Sequence, residues 1–354
     1  MNKLLFFLLI FTLGVSACSD GQEDSTPTFT DWLIPSSQIF DGGPGLDGIP
    51  SVDEPKFKPT NEIDYMEDDD LIIAFKVGNE IKGYTHPVLD WHEIINDDIG
   101  DKSIALTYCP LTGTSVAWNR TINGKTTTFG VSGLLYNSNI IPYDRETKSN
   151  WSQMRLECVN GELSGTKPDL FQVTEMSWAT WKEMFPTAKV VTTVTGFSRS
   201  YGSYPYFNSQ GEDYRVDPWL LFPVDPVDTR LDAKERVLGV IIAGKAKAYR
   251  FGAFTDETIT VKEDAFEGKN LIIIGSESKN FMAAFENNLN LSDLVPSTSD
   301  NTSIMKDGEG NEWNIFGEAI SGPRAGQKLN NVSSFMGYWL GWGAFYPDLE
   351  IFEE

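Results

Sequence analysis

The sequence predicts an α+β fold dominated by strands, with two related copies following one another and packing as one unit. Three observations point there. Short β-type runs bounded by Gly, Asn and Pro recur from about residue 61 onward. Only two stretches in the first half show helical spacing. A series of segments in the first half also returns, in the same order, in the second. Apolar residues make up 40% and aromatics 12% of the 354 residues, ample material for a packed core.

The N-terminus reads as a lipoprotein signal over residues 1–17. Lys3 supplies a positive start, Leu4 to Val15 is apolar but short for a membrane-spanning helix, and Val15-Ser16-Ala17 precedes Cys18. Cys18 is the expected lipid-attachment residue. This places the protein in the bacterial cell envelope, anchored by lipid to the outer membrane, with surface exposure the further expectation. Residues 18–60 read as an acidic tether (SDGQEDSTPT) followed by a Pro/Gly-rich lead-in. A formal charge of −23 argues against nucleic acid and anionic lipid surfaces as partners. It leaves the oligomeric state open.

The first copy, residues 61–195, opens on a hairpin: LIIAFKV (71–77), a Gly78-Asn79 turn and EIKGYT (80–85). Pro87 suits a first helical turn, and Val88, Leu89, Trp91, Ile94 and Ile95 recur at roughly helical spacing, which predicts a helix over 87–97. A strand follows at 103–108 and stops at Cys109-Pro110, because Pro cannot continue a central strand. In SWATWKEMF, Trp178, Trp181, Met184 and Phe185 mark the buried face of a second helix near 177–185.

A Tyr/Pro-rich connector (196–230) leads to the second, degenerate copy (231–354). There VLGVIIAGKAKAYRF repeats the hairpin, KNLIIIGS answers KSIALTYC, and Asp307 to Trp313 answers Asp144 to Trp151. Trp339, Trp342, Tyr346 and Pro347 answer Trp178, Trp181, Phe185 and Pro186. Both histidines, His86 and His92, and Cys109 fall only in the first copy, so a single functional site is expected there.

The candidate site residues are His92, Glu93 and Cys109, expected to converge at one end of the first copy's sheet. His92-Glu93-Ile94-Ile95-Asn96 has the start of a zinc-peptidase HExxH helix, but Asn96 stands where the second His is needed. His92 with Cys109, helped by Glu93 or Met154, would suit a soft metal ion such as copper. With His92 as base, Cys109 would instead serve as a nucleophile in an envelope enzyme. The competing reading makes His92 a hydrogen-bonded core residue and Cys109 a small buried hydrophobe. A second set, Tyr136, Asn137, Asp144, Arg145, Trp151 and Gln153, offers amides, charges and flat rings to a small polar ligand or glycan. Its alternative duty is loop architecture. Cys109 and Cys158 either pair or remain free thiols.

HEIIND, TYCPLTG, FGVSGLLYNSN and YDRETKSNWSQ, in that order, closely resemble the bacterial domain-of-unknown-function family numbered 3179. The resemblance is strongest over 62–195. It implies a secreted or lipid-anchored envelope protein and no established reaction. Where that family commonly reads Cys-Pro-Leu-Cys, this chain has Thr112, which removes a CxxC redox or metal pair.

Overall fold

The computed structural model describes residues 31–208, 210–254 and 259–353, so Cys18 and the signal segment lie outside the described residues. Strands dominate, with three seven-residue α-helices among them: α1 (His86–His92), α2 (Trp178–Met184) and α3 (Trp339–Phe345). No helix among the described residues is long and apolar enough to cross a membrane.

The first hairpin forms where the apolar β-type run and the Gly78-Asn79 turn place it, Leu71–Val77 against Glu80–Thr85. It is the centre of a five-stranded sheet. Thr174–Ser177 adds antiparallel to Leu71–Val77, the chain crosses over through α2, and Lys189–Val191 returns parallel to Glu80–Thr85. Phe57–Pro59 closes that edge. In the second half Arg236–Ile242 and Lys245–Arg250 form the hairpin. Ser333–Tyr338 flanks it on one side; α3 then carries the chain to Glu350–Ile351, parallel on the other. Each half also carries a four-stranded meander, Ile94–Ile99, Lys102–Cys109, Thr114–Asn119 and Leu170–Phe171 in one, and Thr260–Phe266, Lys269–Ser276, Phe281–Glu286 and Asn330–Asn331 in the other.

The layers interlock. On one face of the first hairpin sheet, Ile73, Phe75 and Tyr84 pack on Ile95, Ile104 and Leu106 of their own half. On the other face Ile72 and Ala74, with Trp178 and Trp181 of α2, pack on Ile272, Ile274, Phe285 and Trp313 of the second half. Reciprocally, Val237, Ala246 and Ala248, with Trp339 and Trp342 of α3, pack on Ile94, Ala105, Trp118 and Trp151 of the first. Glycine lets each helix seat its tryptophan closely on the hairpin of its own half. A Cβ on Gly83 would lie 2.8 Å from the Trp181 ring, and one on Gly239 would lie 2.1 Å from that of Trp342.

The expected helix over 87–97 is shorter than its spacing suggested. It ends at His92, and Ile94–Ile99 is a strand paired with Lys102–Cys109. The adjacent isoleucines explain the change. Ile94 enters the core shared with the second half, whereas Ile95 enters the first half's own core. Opposite faces for successive residues is strand geometry. HEIIND therefore presents no helical face, and the likeness to a zinc-peptidase helix ends there.

The lead-in is tied into the fold. Ile39–Asp41 pairs with Phe129–Tyr136, and Val52 bridges to Ile95.

Candidate functional site

The turn from α1 into the next strand is made by Glu93 itself. Its backbone is left-handed (φ 56°, ψ −27°), and its N–H caps the helix on the Leu89 carbonyl at 2.7 Å. A side chain longer than Asn is uncommon in that conformation. The Glu93 carbonyl accepts from Tyr108 N–H at 2.7 Å, which locks the turn against the meander. The constrained turn carries the Glu93 side chain into a cavity of about 70 Å³.

The walls of that cavity are apolar: Ile49 and Ile94, Leu111, Val131 and Leu135, Ile140, and Leu221 with Phe222 from the connector. Glu93 is 5% exposed and, among the described residues, is the only carboxyl on the wall, which no basic side chain lines. Its Oε1 accepts from the Tyr206 hydroxyl at 3.0 Å. Burial pushes the carboxyl up to about 7, with the Tyr206 hydrogen bond working against that rise.

Cys109 belongs to the same neighbourhood, since the Glu93 charge acts on its thiol. Burial pushes the thiol up to about 11, and its Sγ donates to the Ser138 carbonyl at 3.4 Å. A fully buried thiol held this way is poor at forming thiolate. Cys109 and Cys158 are both free and buried.

His92 is occupied elsewhere. Its Nδ1 donates to the Pro50 carbonyl at 2.7 Å, leaving Nε2 to accept from the Tyr201 hydroxyl at 2.8 Å. Burial lowers its pKa, which agrees with a neutral ring. Neither nitrogen is free for a metal or for the Cys109 thiol. Among the described residues no group of three or more His, Cys, Asp or Glu side chains is arranged to hold a metal ion. This donor set does not fit a soft metal.

The second candidate set holds loops and core together. Asp144 accepts from Thr147 N–H at 2.7 Å and from Trp151 Nε1 at 3.1 Å. Asp307 accepts from Trp313 Nε1 at 3.0 Å in the second half. Arg145 clamps the lead-in through Asp47 (2.9 Å), Ser51 (3.0 Å) and Asp53 (3.2 Å). Asn137 Oδ1 accepts from Asp225 N–H at 2.9 Å, and Tyr136 meets Phe345 edge-on at 5.4 Å. Gln153 joins Thr107, Thr114 and Asn139 in a buried network.

The cavity is built from the segments with the most distinctive sequence: Glu93 and Ile94 from HEIIND, Leu111 from TYCPLTG, and Val131 to Leu135 from FGVSGLLYNSN. Residues 46–349 match the family described as "Protein of unknown function (DUF3179)". The chain belongs to this family. No curated protein and no solved structure matches it. Tyr206, Leu221 and Phe222 were not among the sequence candidates. The one signal for them was the aromatic density of the connector, which also fits packing.

Proposed function

We propose that this DUF3179 protein is a lipid-anchored envelope protein that binds a small apolar amine in the Glu93 cavity. The observation that carries the reading is a buried carboxyl with one neutral hydrogen-bond donor and no counter-ion, set in an otherwise apolar chamber. An ammonium group supplies the missing charge, and the apolar walls take the rest of the molecule. The chamber is built on the first of two copies of one unit and closed by the lead-in and the connector. Support for two copies comes from the matched segments and from the like order of strands around each hairpin. The lipobox at Cys18, with Lys3 and the apolar run before it, supports anchoring to the outer membrane. Binding is favoured over thiol catalysis because the Cys109 sulfur is buried and His92 has no free nitrogen to serve it.

The test is a calorimetric titration with n-alkylamines from butyl to octyl, set beside the matching n-alkyl carboxylates. Amines are expected to bind, with affinity rising roughly fourfold per added methylene until the chamber is full, and Glu93→Leu to abolish the effect. Equal binding of the carboxylates, or amine binding that survives Glu93→Leu, would overturn the reading.

A further inference from the structure

A second cleft, of about 130 Å³, opens where the two halves meet, and the Glu93 chamber does not use it. Three parts of the chain build it. His86 begins α1, and Asp90 lies one turn later on the same side of the helix. Tyr108 lies near the end of the meander strand Lys102–Cys109, and Glu175 comes from the edge strand of the first hairpin sheet. The second half contributes Arg236 and Tyr338, and the connector contributes Arg215.

The charges in this cleft are matched internally. Glu175 is 3% exposed; its Oε2 accepts from His86 Nε2 at 2.7 Å and its Oε1 is paired with Arg236. Burial opposes the charge on Glu175, but His86 and Arg236 outweigh it and hold the carboxyl down to about 2. Arg215 is spent on Asp213 in a forked pair, with distances of 2.6 and 3.1 Å. The sheet layout does not require these groups. Glu175 stands across from Ile73, and the residue standing across from Leu238 in the second hairpin sheet is Met336.

Several polar groups are left without partners. Asp90 is 5% exposed and lines the cleft, yet its Oδ1 has no hydrogen bond. The buried Tyr204 hydroxyl has none either. Tyr204, Tyr108 and Tyr338 all lie close enough to Asp90 to feel its charge. His86 Nε2 is engaged by Glu175, which leaves Nδ1 as the ring's other hydrogen-bonding atom. Burying such groups unpaired costs stability, and a hydrogen-bonding partner in the cleft would offset it.

We propose that this cleft binds a small neutral polyhydroxylated molecule, a sugar or polyol, held by Asp90, Tyr108, Tyr338 and Nδ1 of His86. An anion would meet Glu175 and the rim carboxylates Asp69 and Asp70; a cation would meet Arg215 and Arg236. A hydroxyl group donates and accepts at once, so it can satisfy an acid, a phenol and an imidazole nitrogen in turn.

The experiment is saturation-transfer NMR on the full chain with D-glucose and myo-inositol, with sodium acetate and methylammonium chloride as charged comparators. Saturable binding of at least one polyol is expected, weakened about tenfold by Tyr338→Phe, the loss of one hydrogen bond, and abolished by Asp90→Leu. Should Asp90→Leu not fold, Tyr338→Phe and Asp90→Asn carry the test. Absence of saturable binding by both polyols, preference for acetate or methylammonium, or polyol binding unchanged by every variant would each overturn the proposal.

Discussion

Replacing Glu93 by Gln should stabilise the protein, and by an amount that depends on pH. The unfolded chain ionises this carboxyl near its ordinary 4.5, whereas the folded protein holds the proton to about 7. Below pH 4.5 both states are protonated and the group costs nothing. Between 4.5 and 7 the unfolded state loses its proton first, so wild-type stability falls as pH rises. Above 7 the full cost remains. A displacement from 4.5 to about 7 in a fully buried group corresponds to roughly 3 kcal/mol. Gln accepts the Tyr206 hydrogen bond as Glu does and carries no titrating proton. Urea denaturation of both proteins across pH 4 to 8 is the assay. The two curves should nearly coincide at the acid end and separate to about 3 kcal/mol in favour of Glu93→Gln above pH 7. A difference that stays flat across the range would refute the claim that burial of an ionisable Glu93 sets it.

Two further outcomes follow. Because each hairpin sheet packs on the other half's meander, heat should unfold the chain in one cooperative transition; two separated transitions, each reproduced by an isolated half, would show independent units. Labelled palmitate fed to expressing cells should enter the wild type and not Cys18→Ala, and equal labelling of both would rule out lipidation at Cys18.

Much of the scaffold was legible in the chain. The first hairpin is bounded where its apolar β-type run and the Gly78-Asn79 turn put it, and α2 lies inside its predicted stretch. The Asp144–Trp151 and Asp307–Trp313 pairs, recognisable as matched positions, each prove to be a carboxylate holding an indole N–H. Ile94 and Ile95 misled because, beside Val88, Leu89 and Trp91, they fit a helical stripe as well as a strand. The left-handed turn at Glu93 that separates the two has no Gly or Asn to announce it. Glu93 itself was identifiable as a candidate, but its properties were not. They come from Tyr206, 113 residues further along, and from Leu221 and Phe222. The His86 cleft was less visible still, since Arg236 and Tyr338 acquire meaning only once the halves meet.

The interlocking of the sheets sets a timetable for the chain's synthesis. Trp339 and Trp342, near the C-terminus, complete the core that holds Ile94, Ala105, Trp118 and Trp151. That core stays open until almost the last residue has been made. Until then the N-terminal half waits with bare apolar faces, the state in which nascent chains aggregate or recruit chaperones. It follows that a premature stop at residue 335 would be nearly as damaging to the first half as to the second. Loss of twenty residues at the far end would unmake the floor beneath HEIIND.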